Sequence, residues 1–214
     1  MSSSTVALVP LRAPGAGKTR LAAWLTAEQR AALAGAMLAD VCAALADGPV
    51  DRIVVVAGGE AAAAAASALG LEVVADPPGG GGLDAALRAA EHHLGDPDGL
   101  LVVTADLPCM QGDDVRAVLA ADGDVVVAPT DDGGTGGLLR RPAGVMPTAY
   151  GPSSARRHHA EARRRGLTVA TVRTPGFAID VDTVSDLAAL ASRPVGPATA
   201  ALLAGWDRHD AETG

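Results

Sequence analysis

The chain reads as an α/β protein built on a three-layer, Rossmann-like sheet. Three observations predict that class. Short continuous apolar runs recur along the 214 residues, amphipathic or Ala-rich stretches of helical length separate them, and no fixed-period repeat or long linker interrupts the alternation. The expected organisation is one domain over residues 1–214, with a Gly-rich excursion at 131–151 and a polar tail at 206–214.

The elements follow in order. "VALVPL" (6–11) is the first strand, and a helical pattern runs from Arg20, broken near Thr26 or Ala27. Its Leu33, Met37, Val41 and Leu45 repeat every four residues until "DGP" (47–49) stops it. "RIVVVAG" (52–58) is apolar throughout and reads as a strand covered on both faces. "EAAAAAASALG" (60–70) is a short helix, "LEVVAD" (71–76) a strand, "PPGGGG" (77–82) a loop and "LDAALRAAEHHLG" (83–95) a helix. "LLVVTADLP" (100–108) is the strongest strand signal, followed by a helix at 112–122 and a strand "DVVVAPT" (124–130). After the Gly-rich excursion come a helix over 153–165, the strand "TVATV" (168–172), the segment "FAIDVDT" (177–183), a short helix at 184–191 and a last Ala-rich helix. In sheets of this kind ligands bind outside the strand C-termini. The unusual residues fall there: 12–18, Asp106, 130–137 and 180–182.

Composition excludes some functions. A formal charge of −8 does not suit a protein that grips a nucleic-acid backbone, although the arginines of "SSARRHHAEARRRG" (153–166) could form a local anion site. Cys42 and Cys109 lack metal-ligand spacing and sit in apolar runs. The start lacks a signal-like segment and no long apolar span follows, so the expectation is a soluble, cytoplasmic protein with no nucleic-acid or membrane partner.

"LVPLRAPGAGKTRLAAWL" (8–25) imitates a phosphate-binding P-loop. With Gly17-Lys18-Thr19 as the end of G-x-x-x-x-G-K-T, the first glycine falls on position 12, which is Arg. A P-loop NTPase is therefore disfavoured, and Lys18 is either a nucleotide-facing cation or a solvent-exposed helix residue. The acidic residues carry a stronger signal. Asp180 and Asp182, two apart on an extended segment, share a face. Together with Asp106 they make a hard-oxygen set suited to Mg²⁺, which takes a few carboxylates and completes its shell with water and phosphates. The bland alternative is that Thr183 and Asp186 merely start a helix with a capping box. Thr135 in "GGTGG" could donate to a ligand, and Ser153 and Ser154 stand at a helix N-terminus, where Ser153 could simply be the cap. His158 and His159 have no metal-ligand partner at helical spacing, His92 and His93 read as structural or exposed, and nothing supplies a base for Cys109.

Taken together, "VPLRAPGAGKTRLA", "GGGLDAAL", "VVTADLPCM", "APTDDGGTGGLL", "YGPSSARRHHAEARRRGL" and "AIDVDTVSDLAAL" resemble the 2-phospho-L-lactate / phosphoenolpyruvate guanylyltransferases of deazaflavin coenzyme F-420 biosynthesis. The resemblance runs from about residue 6 to 190 and rests on the order and spacing of the motifs. It implies a nucleotide-diphosphosugar-transferase-like fold and Mg²⁺-dependent transfer of GMP from GTP to a small phosphorylated acid, with release of pyrophosphate. It implies Asp106, Asp180 and Asp182 as metal ligands, with Thr135, Gly151 and Ser154 on the acceptor. Arg12 and Lys18 would lie beside the nucleotide phosphates, and Gly82 and Asp84 near the base. The Ala-, Arg- and Gly-rich composition suits a high-GC actinobacterium, and for actinobacterial members the resemblance implies phosphoenolpyruvate as acceptor, giving enolpyruvyl-diphospho-guanosine; 2-phospho-L-lactate or another phosphorylated acceptor is the alternative. A GTP-binding regulatory protein without turnover is the rival outside enzymes. The chain departs from the family pattern at Gly136 and Asp84, where Asn is usual, at Ala155, where an aromatic is frequent, and at Arg12, where Lys is more usual.

Overall fold

A computed structural model describes residues 4–12, 19–76 and 81–213. Its strands are β1 (Thr5–Arg12), β2 (Arg52–Gly58), β3 (Glu72–Ala75), β4 (Gly99–Val103), β5 (Val125–Pro129), β6 (Thr135–Arg140) and β7 (Val169–Thr171). They form one sheet in the order β3-β2-β1-β4-β6-β5-β7. Every pairing is parallel except the two made by β6, which runs antiparallel to both β4 and β5.

The helices α1 (Ala27–Asp47), α2 (Glu60–Ala68), α3 (Leu83–Leu94), α4 (Gly112–Ala120) and α5 (Ser154–Arg164) supply the crossovers. The short α6 (Pro175–Ala178) and α7 (Val184–Ala189) and the terminal α8 (Pro197–Thr213) complete the chain. Alternating strand residues divide the core in two. Ala7, Val9, Val55, Leu101 and Val126 pack against Leu38, Val41 and Leu45 of α1 and Val115 and Val118 of α4. Val6, Leu8, Val54, Val102 and Val127 pack against Ala86, Leu87 and Ala90 of α3 and Ala155 and Ala162 of α5. These are the three layers that the alternating pattern predicts.

Local chemistry explains the helix boundaries. Thr26 caps α1 in a reciprocal box: its hydroxyl accepts the Gln29 N–H at 3.1 Å, and the Gln29 side chain accepts the Thr26 N–H at 2.8 Å. By length and hydropathy α1 could cross a membrane, but its apolar stripe is spent on the sheet. A third cluster joins Leu33 and Met37 of α1 to Leu21, Cys109, Val181 and Leu190, with Leu202, Leu203 and Trp206 of α8 packed against it. Asp40, buried on α1, fastens α8 by accepting the N–H groups of Ala198 at 2.9 Å and Thr199 at 2.8 Å.

The Gly-rich excursion expected at 131–151 is not one long loop. It contains β6, buried along its whole length between β4 and β5. The sequence conceals it because glycine weakens a strand signal. Here Gly136 and Gly137 are required by close approach, since a Cβ on Gly137 would lie 2.8 Å from the Phe177 ring and one on Gly136 would lie 3.2 Å from it. The polar tail also belongs to α8, whose backbone stays helical to Thr213.

Candidate active site

The strand order fixes where a ligand can enter. From β1 the chain crosses by α1 to β2 on one side, while β4, reached through α3 on the opposite face, pairs on the other side of β1. The C-terminal ends of β1 and β4 therefore border the crevice opened at the reversal of strand order. Arg12 ends β1 and is exposed there, and Asp106 follows β4 by three residues. Because β6 is antiparallel, its first residue, Thr135, comes to this same edge. The Thr104 N–H donates to Gly136 O at 3.0 Å, which locks the β4 exit to β6.

The acidic residues reach the edge along a crossing segment. Beyond α6 the backbone is extended, and Val181 donates its N–H to Asp106 O at 3.1 Å, while Asp131 N–H donates to Ala178 O at 2.8 Å. Val181 is fully buried in the third cluster, so Asp180 and Asp182 flank an anchored residue. Burial, and then the nearby charges of Asp106, Asp132 and Asp182, push the Asp180 carboxyl up to about 7. The structure therefore brings the three sequence-predicted carboxylates into one electrostatic neighbourhood and adds Asp132. Among the described residues, however, no group of three or more His, Cys, Asp or Glu side chains is close enough to hold a metal by itself. The capping box also forms: Asp186 accepts the Thr183 N–H at 2.7 Å and the Asp182 N–H at 3.1 Å, so helix capping and the acidic site coexist.

The same edge also carries a buried hydroxyl pair. Ser154 Oγ donates to Thr135 Oγ1 at 2.9 Å, and His158 Nδ1 lies 3.1 Å from the same oxygen. Thr135, Ser154 and His158 are 4%, 2% and 0% exposed. The N-terminus of α5 is docked here by Ala155 N–H donating to Gly133 O. Ser153 occupies the N-cap position in the left-handed region at φ 54° and makes no side-chain capping bond, contrary to its expected role. Gly151 has φ 117°, a backbone twist that favours glycine, and the Arg157 guanidinium lies against its open face.

Gly82 stands at the N-cap of α3, on the same edge. Asp84, expected near the base, turns one carboxylate oxygen to the Tyr150 N–H at 3.0 Å and so holds the 149–151 loop. Lys18 lies outside the described residues, as does the whole of the 13–18 loop. Sequence reasoning missed His158 and Asp132. His158 Nε2 accepts the Ala149 N–H at 2.9 Å, and its ring meets Tyr150 edge-on at 5.1 Å between centroids. Asp132 accepts from Thr130 Oγ1 at 2.5 Å and Gly134 N–H at 2.8 Å, an Asx-type turn that the "TDDGG" composition could have suggested. Carboxylates, buried hydroxyls and a helix N-terminus gathered at one sheet edge, beside a strand-order crevice, suit a phosphorylated anion held with a cation.

Comparison with known proteins adds the following. The family description "Guanylyl transferase CofC like" matches residues 5–200. A phosphoenolpyruvate guanylyltransferase of Roseiflexus castenholzii is 41% identical over 88% of this chain and 88% of its own. A 2-phospho-L-lactate guanylyltransferase of Methanothermobacter thermautotrophicus is 35% identical over 86% of this chain and 82% of its own. A 3-phospho-D-glycerate guanylyltransferase of Phenylobacterium zucineum is 36% identical over 92% and 94%. Among solved structures, a Desulfovibrio desulfuricans protein assigned as a nucleotide-diphospho-sugar transferase superposes with a TM-score of 0.76 at 22% identity, covering 96% of each chain. That likeness bears out the expected fold.

Proposed function

The chain belongs to the CofC-like guanylyl transferase family, and from that membership we infer that it transfers GMP from GTP to phosphoenolpyruvate, yielding enolpyruvyl-diphospho-guanosine and pyrophosphate for coenzyme F-420 biosynthesis. The observation that carries this reading is the juxtaposition at one sheet edge of the acidic segment, bonded through Val181 to Asp106, and the buried Thr135–Ser154 pair. A triphosphate and a phosphorylated acid need two such seats.

In the mechanism, Thr135, Gly151 and Ser154 hold the acceptor carboxylate, and Arg12 and Lys18 flank the nucleotide phosphates. Gly82 borders the base, and Asp84, placed beside the base by the family resemblance, also anchors the 149–151 loop that carries Gly151. An oxygen of the acceptor phosphate attacks the α-phosphorus, the bond to the β-phosphate breaks, and pyrophosphate leaves. The attacking oxygen is already ionised near neutral pH, so no protein base is required; positioning and charge neutralisation carry the rate.

A divalent cation fits the donor set. Asp180 is driven towards protonation by burial and neighbouring carboxylates, a state that a hard cation reverses. Mg²⁺ binds through carboxylates and completes its octahedral shell with phosphates and water. Asp106, Asp180 and Asp182 would hold it. Bound there, Mg²⁺ would neutralise phosphoryl charge. The same reading puts the enzyme in the cytoplasm, in keeping with two free, buried cysteines.

The relatives named for 2-phospho-L-lactate and 3-phospho-D-glycerate, at similar identity, support a second reading of the acceptor alone. Pyrophosphate release from GTP with each of the three acids separates the readings: turnover is expected with phosphoenolpyruvate, and its absence with all three would overturn the transfer itself. Asp182→Asn should lower turnover at least about a hundredfold at every Mg²⁺ concentration while the circular dichroism spectrum stays unchanged. Wild-type turnover in that variant would remove Asp182 from the site.

A further inference from the structure

We propose that His158 is a positioning residue that keeps one hydroxyl proton of the Thr135–Ser154 pair available to the acceptor's carboxylate. The proposal rests on the reading of Thr135 and Ser154 as acceptor-binding groups, and it adds what makes them donors.

The argument is a count of protons. A backbone amide can only donate, so the Ala149 N–H at 2.9 Å makes His158 Nε2 an acceptor and leaves the proton of the neutral ring on Nδ1. Nδ1 faces Thr135 Oγ1 at 3.1 Å and therefore donates to it. Thr135 and Ser154 then share one bond of 2.9 Å, whichever of them supplies the proton. If Ser154 donates, both lone pairs of Thr135 are filled and the Thr135 O–H remains to be given away. If Thr135 donates, the Ser154 O–H remains. In either arrangement one hydroxyl proton is left over, which a carboxylate can accept.

The opposite tautomer would close the chain. With Nδ1 unprotonated, Thr135 would donate to His158 and Ser154 to Thr135, and both hydroxyls would offer an incoming anion only lone pairs. The loop carrying Ala149 thus sets the polarity of the pair from a distance. Three further features hold that loop and the ring: Asp84 accepts the Tyr150 N–H at 3.0 Å, Tyr150 packs edge-on against His158, and the ring is fully buried. Burial also favours the neutral ring that this count requires.

The test compares His158→Leu with His158→Asn in steady-state pyrophosphate release. Both variants leave the Ala149 N–H without its partner, but the Asn side-chain N–H₂ can stand where Nδ1–H stood. His158→Leu should raise the KM for phosphoenolpyruvate roughly ten- to a hundredfold, the effect of losing a hydrogen bond to a charged group. It should leave the KM for GTP within about threefold, and His158→Asn should recover most of the acceptor loss. Equal acceptor KM values in the two variants, or acceptor and GTP constants rising together in His158→Leu, would overturn the proposal.

If His158→Leu does not fold, nitrogen-15 NMR of the wild-type histidines decides. The His158 signal, identified by its absence from the His158→Asn spectrum, should report protonated Nδ1 and bare Nε2 at pH 7 and should shift on addition of phosphoenolpyruvate alone. The Nε2–H tautomer, or a signal indifferent to phosphoenolpyruvate, would refute it. The tautomer requires no turnover, so failure of the transfer reaction and failure of this arrangement are told apart.

Discussion

At His158 one buried ring makes a pH prediction whose sign can be worked out. Burial pushes the imidazole down to about 4; Arg140, Arg157 and His159 reinforce the shift and Asp84 opposes it. The unfolded chain has an ordinary histidine near ~6.5 and so takes up the proton first as pH falls. The stabilisation from the neutral ring is therefore complete above about pH 6.5, drains away down to about pH 4 and is flat below; its full extent is of the order of 3 kcal/mol. Urea denaturation at pH 7 and pH 4.5 should find wild type losing more stability than His158→Asn, and equal losses would contradict the assignment. Thr135 and Ser154 were legible in the sequence because "GGT" and "GPSS" carry them in a fixed pattern. His158 was not, because its partners, the Ala149 amide and the Thr135 hydroxyl, are set by loop closure and strand position rather than by helical spacing.

Element by element, most strands and helices could be read from apolar continuity and periodicity, and β6 could not. Its "TGGLLR" pairs glycines with an arginine, and although β5 is its hairpin partner, the rest of its burial comes from β4 and Phe177, both remote in sequence. Arg140, fully buried, is tolerated there because it donates to Met146 O at 2.8 Å and to Glu91 at 2.5 Å. The glycines make a prediction of their own. Gly137→Ala drives a methyl group against the Phe177 ring and Ala128, and should destabilise the fold by about 1–3 kcal/mol. Since Phe177 precedes the acidic segment by three residues, turnover should fall further than stability explains. A variant with unchanged denaturation midpoint and activity would show that the ring has room to move. On α8, Asp40→Ala removes the acceptor of two N–H groups and should cost about 1–2 kcal/mol in chemical denaturation.

Across the whole molecule, the sheet is unevenly protected. β4, β5 and β6 are buried at every residue, while the rim strands β3 and β7 have only half-buried and exposed positions. Amide hydrogen exchange should run fastest in β3 and β7 and slowest in β1, β4, β5 and β6, and early exchange in β6 would mean that this interior strand opens separately. The layer count was legible because strand and helix alternate, but the placing of a late antiparallel strand between β4 and β5 was a tertiary decision. One last consequence belongs to Val181. The cluster that buries it also takes in Leu202, Leu203 and Trp206 of α8. A nonsense codon at position 197 would therefore uncover the cluster that seats the acidic segment without deleting any group assigned to a substrate, and turnover should fall with stability.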